Sequence, residues 1–135
     1  MKKYIIIFLI CLIIIRNSFY HRKKTGGYVD KNLELCTFIY NNENVYFYAF
    51  NNDLISKYWK RKKFYEIKLL EKIKSLNLRG VYVDVGSHHG NHSIYFDKFC
   101  NSKKVISIEG NPFNFKYLKK NITKNKCKNI LHNKI

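Results

Sequence analysis

Two stretches of the sequence combine carboxylates and glycines in a spacing suited to binding a nucleoside. The first, residues 81–93, is V-Y-V-D-V-G-S-H-H-G-N-H-S, an apolar run with Asp84 near its end and a glycine-containing turn behind it. Glycines at such a turn let the backbone approach a ligand closely. The second stretch, residues 105–111, is an apolar run that ends in Glu109. An acidic residue about 20 positions after a glycine turn is placed to accept hydrogen bonds from ribose hydroxyls.

The elements that must position these carboxylates form a β-α-β-α-β pattern. Residues 81–85 and 105–108 predict buried strands, and residues 91–100 predict the helix between them. Asn111 is a favourable cap for a second helix, and residues 129–132 predict the start of a third strand. Ligands of open parallel α/β folds bind beyond the carboxyl ends of the strands. Both acidic residues are therefore expected at one site.

The spacing Gly86-x-x-x-Gly90 departs from the G-x-G-x-x-G pattern of dinucleotide-binding folds. It resembles motif I of the class I S-adenosylmethionine-dependent methyltransferases, most closely that of the FkbM family. V-D-V-G-S-H-H-G-N-H-S is similar to the family's vDvGAnxGxhs segment, and I-E-G-N-P followed by F-x-x-L-x-x-N is similar to its fEPnPxxfxxLxxN segment. The resemblance covers about residues 58–135.

This resemblance implies an α/β, Rossmann-like class I methyltransferase fold, here with about three parallel strands, and S-adenosylmethionine as cofactor. It implies that Asp84, Gly86 and Gly90 line the methionine side, that Glu109 holds the ribose hydroxyls and that Asn111 lies near the adenine edge. The implied reaction is methyl transfer to a hydroxyl of a small molecule or carbohydrate, with no catalytic base identified. The full set of expected cofactor-binding residues is Asp84, Gly86, Ser87, His88, Gly90, His92, Glu109, Gly110 and Asn111.

Two other hypotheses remain open at this point. A complete class I domain has about seven strands, and three are predicted here, so the chain is alternatively a non-catalytic, membrane-tethered remnant that binds a cofactor or has a structural role. A third hypothesis is a basic module that binds a membrane surface or RNA.

The three histidines of the first stretch also raise the question of a metal. Gly90 separates His88 and His89 from His92, and no carboxylate or cysteine lies nearby in the sequence at ligand spacing. We therefore predict no metal. The four cysteines contain no C-x-x-C pair, and we expect them to be reduced, mostly buried thiols.

The N-terminal residues predict a membrane anchor. Lys2 and Lys3 precede the apolar residues 4–15, and Arg16 with further basic residues follows. This pattern, without small residues for a signal peptidase, predicts an uncleaved single-pass anchor over residues 4–20. A single-pass membrane protein is therefore expected.

The remaining residues divide the chain further. Residues 33–40 and 44–50 are rich in β-branched and aromatic side chains and predict a hairpin, and the apolar spacing from Tyr58 to Leu76 predicts an amphipathic helix. The predicted organisation is an anchor with basic flanks at 1–24, a linker and hairpin at 25–57, and a partial methyltransferase domain at 58–135.

Composition excludes some classes of protein and explains the charge. Apolar residues make up 46% of the chain, which is enough for a core and excludes a wholly disordered protein. The net charge is +17, but Lys outnumbers Arg 22 to 4, and Arg is the residue favoured for bidentate phosphate and base contacts. We therefore attribute the charge to composition and expect no specific nucleic-acid partner.

Overall fold

The computed structural model describes residues 4–6 and 33–133. In these residues six strands and four helices follow one another along the chain. They are β1 (Tyr4–Ile6), β2 (Leu33–Tyr40), β3 (Glu43–Phe50), α1 (Leu54–Lys60), α2 (Ile67–Ser75), β4 (Gly80–Val85), α3 (Asn91–Phe99), β5 (Ser102–Ile108), α4 (Pro112–Lys124) and β6 (Ile130–Asn133).

The main sheet has four parallel strands in the order β1-β4-β5-β6. Helix α3 connects β4 to β5, and α4 connects β5 to β6, because parallel neighbours need a long crossover. The predicted Rossmann-like arrangement of parallel strands and helices behind a hairpin is confirmed. The three predicted parallel strands are present, and β1 adds a fourth.

The predicted membrane anchor is wrong in its first residues. Tyr4–Ile6 forms a strand that pairs in parallel with Val81–Val83 of β4, so this part of the apolar run is an edge strand. Within residues 4–6 and 33–133, no helix is long and apolar enough to cross a bilayer. Residues 7–20 of the predicted anchor lie outside the described residues. The prediction of a single-pass membrane protein is corrected accordingly.

The predicted hairpin is present, and its turn explains its register. Asn41 and Asn42 both have positive φ, +48° and +62°, as the central residues of a type I′ turn require. Asparagine tolerates this conformation better than most residues. The turn is therefore two residues long, and β3 begins at Glu43, one residue earlier than predicted.

The single helix predicted from Tyr58 is instead two helices. Asp53 caps α1, since its side chain accepts a hydrogen bond from the Ser56 N–H at 2.7 Å. The chain then turns between the helices, where Lys62 and Glu66 have positive φ. Helical spacing in the sequence did not reveal this break, because the residues of the turn contribute to the same apolar stripe.

An aromatic cluster packs the hairpin and helices together. Phe47 of β3 stacks on Trp59 of α1, with ring centroids 4.2 Å apart and planes 6° from parallel. Phe64, in the turn between α1 and α2, is completely buried and contacts Tyr40 and Tyr95 edge-on. Burial of such rings dominates the energetics of a core. The hairpin is therefore part of the same folded unit as the helices.

Candidate cofactor site

The carboxyl ends of β4 and β5 lie under one loop, residues 86–90, which we call the glycine loop. Val85 lies opposite Ile108 in the sheet. The backbone N–H groups of Gly86 and Ser87 both donate to the carbonyl of Ile108, at 2.8 and 3.0 Å. These bonds hold the loop across the end of β5, so that it lies beside the residue immediately after this strand.

That residue is Glu109, and its carboxylate is held by two backbone groups. Oε2 accepts from the N–H of His88 at 2.8 Å, and Oε1 accepts from the N–H of Asn111 at 2.7 Å. The residue is 7% exposed. A carboxylate offers about four acceptor positions, so each oxygen can accept a further hydrogen bond. The orientation of Glu109 is thus fixed before any ligand binds.

Asp84 has different surroundings. It is buried, and its Oδ2 accepts from the hydroxyl of Ser93, which in turn accepts from the hydroxyl of Ser107 at 2.6 Å. This chain of hydrogen bonds ties the first turn of α3 to β4 and β5. Burying a carboxylate is costly unless it is hydrogen-bonded, and the serines meet that requirement.

The two glycines of the loop differ in what constrains them. Gly86 has φ +76°, and a Cβ there would meet no atom within 4 Å, so the space beside it is open. Gly90 has φ +93°, and a Cβ there would lie 2.9 Å from Cδ1 of Leu118. Gly90 therefore allows α3 and α4 to pack closely, whereas Gly86 leaves room beside the strand ends.

His92 is paired with an acidic side chain from another element. Its Nε2 lies 3.1 Å from Oε2 of Glu66, at the start of α2. This hydrogen bond lowers the pKa of Glu66, and partial burial opposes the change. The contact joins α3 to α2.

His88 and His89 form a compact group with Asp53. The two imidazole rings are 3.8 Å apart, and Nε2 of His88 lies 3.6 Å from Oδ1 of Asp53. Burial lowers the pKa of both histidines; for His88, the charges of Asp53 and Glu109 oppose the effect. Burial therefore favours the neutral form of both rings.

Sequence reasoning did not identify Asn91, which fastens the site to the helices before it. Its Oδ1 accepts from Nε1 of Trp59 at 2.9 Å and from the N–H of Tyr65 at 3.1 Å, and its Nδ2 donates to the Tyr65 carbonyl. The residue is almost fully buried. No pattern around Asn91 indicated these partners, which lie 26 and 32 positions earlier in the chain.

Asn121 is the last residue of the F-x-x-L-x-x-N segment, but the sequence analysis predicted no role for it. Its Oδ1 accepts from the N–H of Tyr48 in β3 at 2.9 Å, and its Nδ2 donates to the carbonyl of His89 at 2.8 Å. An amide between Leu118 and Ile122, within the buried stripe of α4, indicates a buried hydrogen-bonding role.

The cysteines of the described residues are free thiols. Cys36 is buried and Cys100 and Cys127 are half-buried, and burial raises the pKa of each, for Cys100 to about 11. Thiols with raised pKa values are poor nucleophiles. None of the three has the properties of a reactive site residue.

The expected cofactor residues thus fall into two groups. Those that meet at the strand ends are Gly86, Ser87, His88, Glu109 and Asn111, with the exposed Gly110 beside them. Those that join elements together are Asp84, Gly90 and His92. The direct contacts with the cofactor expected for both groups remain predictions.

Comparison with known proteins identifies the family. The family model described as the TRM5/TYW2 methyltransferase domain matches residues 40–134, well over half of the chain. The chain belongs to the TRM5/TYW2 methyltransferase family. No curated protein matches it significantly.

Solved structures agree on the fold of this TRM5/TYW2-family chain. It is similar to M. jannaschii TYW2 in complex with AdoMet, with TM-score 0.57 and 20% identity over 82% of this chain and 46% of that one. P. horikoshii TYW2 in complex with MeSAdo has TM-score 0.57, 19% identity and coverages of 80% and 38%. M. jannaschii tRNA m1G37 methyltransferase has TM-score 0.51, 23% identity and coverages of 81% and 32%. The chain therefore spans less than half the length of these structures.

These findings confirm one expectation and correct others. S-adenosylmethionine as the cofactor is confirmed by membership of a methyltransferase family, one of whose structural neighbours contains AdoMet. The resemblance to the FkbM family is wrong, because another family matches. Three further expectations were inferred alongside this resemblance: a membrane-anchored O-methyltransferase, a small-molecule or carbohydrate acceptor, and no nucleic-acid partner. They are wrong as well, because the chain belongs to the TRM5/TYW2 methyltransferase family.

Proposed function

We propose that this chain is an S-adenosylmethionine-dependent tRNA methyltransferase. The observation that carries the proposal is the match of residues 40–134 to the TRM5/TYW2 methyltransferase domain. The similar M. jannaschii enzyme is a tRNA m1G37 methyltransferase, which makes tRNA the substrate class to test. This proposal replaces both the small-molecule methyltransferase and the non-catalytic remnant.

In this proposal Glu109 accepts hydrogen bonds from the ribose hydroxyls of the cofactor. Its carboxylate is already oriented by the N–H groups of His88 and Asn111, and both oxygens have acceptor capacity left. The open space beside Gly86 accommodates the cofactor where the backbone must come close. The cofactor supplies an electrophilic methyl group, and the residues of this chain hold it in position.

Asp84 acts indirectly in this proposal. Through its hydrogen bond with Ser93, Asp84 fixes the first turn of α3. The N-terminus of this helix follows directly after the glycine loop. The positive end of a helix dipole favours a negative group nearby, and the carboxylate of the cofactor's methionine part is such a group. Asp84 therefore sets the position of the helix rather than contacting the methyl group.

The charges on the exposed face of α4 support the proposal that the substrate is a polyanion. Lys119, Lys120 and Lys124 lie exposed along this helix, and Tyr48 of the hairpin lies beside Lys120, with Nζ 5.7 Å from its ring centroid. Within the described part of the chain, none of these three lysines forms an ion pair with a carboxylate. Unneutralised lysines beside an aromatic ring suit RNA phosphates and bases.

Transfer of a labelled methyl group tests the proposed function. The purified chain is incubated with tRNA that lacks modifications and with S-adenosylmethionine labelled in the methyl group, and label is counted in the precipitated tRNA. We expect label in tRNA with the unaltered chain and none with Glu109→Gln. Absence of label in tRNA from a chain that binds the cofactor would contradict the proposed substrate.

A pair of double variants tests the α4 face. Lys120→Gln with Lys124→Gln should weaken tRNA binding and lower the slope of log affinity against log salt by about 1.4–1.8, since each phosphate contact contributes about 0.7–0.9. The matched control is Lys103→Gln with Lys104→Gln, which removes the same charge from exposed positions near the start of β5. Equal losses in both variants would mean that only net charge matters.

A further inference from the structure

A group of three side chains near the glycine loop has the composition of a metal site. Asp53 precedes α1, and His88 and His89 belong to the loop. One potential ligand atom from each lies within 4.8 Å of the others. The sequence argument against a metal was that no carboxylate is nearby, and the fold supplies one from 35 positions earlier in the chain.

The ring nitrogens of this group are buried without partners. Among the described residues, neither Nδ1 nor Nε2 of His89 has a well-formed hydrogen bond, although the Asn114 side chain is close enough to raise the pKa of the ring, and Nδ1 of His88 has no partner either. His89 is only 2% exposed. A neutral imidazole has one N–H donor and one lone pair, and a buried polar group of this kind is nearly always satisfied. An ion or a water bound here would satisfy one of the His89 nitrogens.

The surroundings of His89 position the ring and exclude bulk water. Its centroid lies 5.3 Å from that of Phe50, 5.7 Å from Tyr117 and 6.2 Å from Trp59. These rings come from three different elements. A hydrophobic shell of this kind controls the access of solvent to a metal site.

We propose that Asp53, His88 and His89 bind one divalent first-row transition ion of the zinc class. Two imidazoles and one carboxylate are a common donor set for zinc sites that keep a fourth position open. The 3.6 Å between His88 Nε2 and Asp53 Oδ1 is close to the roughly 3.4 Å between two ligands at tetrahedral bonds of about 2.1 Å. This inference goes beyond the proposed function and does not rest on it.

Binding of an ion here would connect two parts of the fold. Oδ2 of Asp53 already caps α1, which leaves Oδ1 for the ion. The backbone N–H of His88 holds Glu109. An ion bound to both side chains therefore fixes the start of α1 against the loop that orients Glu109.

Titration with Co²⁺, a visible-absorbing substitute for zinc, tests this site. The chain is prepared without a histidine tag, treated with chelator, and followed by its visible d–d absorption in the absence of S-adenosylmethionine. We expect a band that saturates at one ion per chain and disappears when Zn²⁺ is added. Because no cofactor or tRNA is present, the result does not depend on the proposed function. A chain that gives no saturable band would overturn the site.

Three variants separate this site from incidental binding. His89→Phe keeps an aromatic ring in its pocket, and Asp53→Asn keeps a good helix cap but loses the anionic ligand. Loss of an outer-shell partner costs about 10–100-fold in metal affinity, so loss of a ligand should cost at least as much. His132→Phe, on an exposed strand residue, should leave affinity unchanged. Unchanged binding in either ligand variant, with folding verified by circular dichroism, would also overturn the site.

Discussion

Glu109 and Asp84 lie at the ends of neighbouring strands, but their hydrogen bonds give them different roles. Glu109 is held by two backbone N–H groups and can still accept more bonds. Asp84 is buried against serine hydroxyls. The sequence predicted that both carboxylates stand at strand ends, because apolar runs and glycines mark those ends. It could not predict how they differ, because Ser93 and the backbone of His88 become neighbours only through folding.

The pairing of Glu66 with His92 predicts a specific acid sensitivity. The hydrogen bond from His92 lowers the pKa of Glu66 below its usual 4.5. A lowered carboxyl pKa contributes stability that is complete above the unfolded-state value and is lost as pH falls through the folded-state value. Glu66→Gln should therefore flatten the fall in stability below about pH 4.5.

Urea unfolding midpoints measured from about pH 6 to about pH 3 check this prediction. Glu71→Gln is the control, because Glu71 is exposed on the same helix. If both variants lose stability with pH as the unaltered chain does, the pairing has no effect on folding.

At the scale of elements, α4 acts as a partner for the open edge of the hairpin. Asn125 exchanges two hydrogen bonds with the backbone of Tyr46, at 3.0 and 2.6 Å, and Asn121 accepts from the N–H of Tyr48. Unpaired groups at a strand edge otherwise invite association with other chains. These two amides, four positions apart on one helix face, satisfy the edge of β3 and attach it to the rest of the fold.

The elements could be predicted where local patterns decide them. The hairpin strands, β4, α3 and α4 follow from periodicity and from the Asn111 cap, and the structure has them within a few residues of the predicted bounds. The break between α1 and α2 could not be predicted, because residues 61–66 are ordered by buried contacts such as those of Phe64. Strand β1 was missed because a short apolar run at the N-terminus has the composition of a membrane segment.

Asn121→Leu tests the attachment of the hairpin. This nearly isosteric change leaves the Tyr48 N–H and the His89 carbonyl without their partner. Each unsatisfied buried group costs about 1–3 kcal/mol, so for the two groups we expect a loss of about 2–6 kcal/mol in the free energy of unfolding. Denaturant unfolding provides the measurement.

The control for this change is Asn101→Ala. Asn101 is exposed, and among the described residues its side chain bonds that of Asn77 at 3.3 Å. Exposed substitutions of this kind usually stay within about 0.5 kcal/mol. A loss for Asn121→Leu no greater than that of the control would show that the hairpin edge does not depend on the amide.

At the scale of the whole molecule, the sequence was sufficient to predict the cofactor but not to identify the family. Binding of S-adenosylmethionine to this fold requires a glycine turn after one strand and an acidic residue after the next. Different families with this fold therefore have both features, and the features do not distinguish the families. The family match instead starts at residue 40 and includes β3 and α1, whose contribution appears only in three dimensions. Composition likewise does not show that Lys119, Lys120 and Lys124 lie exposed along α4, which is the observation behind the proposed contact with tRNA.

The most direct test of the account is calorimetric titration of the purified chain with S-adenosylmethionine. We expect saturable binding to the unaltered chain and an affinity at least about tenfold lower for Glu109→Gln. Hydrogen bonds to a charged group contribute about 1.5–3 kcal/mol, and about 1.4 kcal/mol corresponds to one decade of affinity. Glu71→Gln, which removes an exposed carboxylate of α2, should bind as the unaltered chain does. A folded chain that gives no heat with the cofactor at about 1 mM, or one that binds it equally well with Glu109→Gln, would contradict the cofactor site described here.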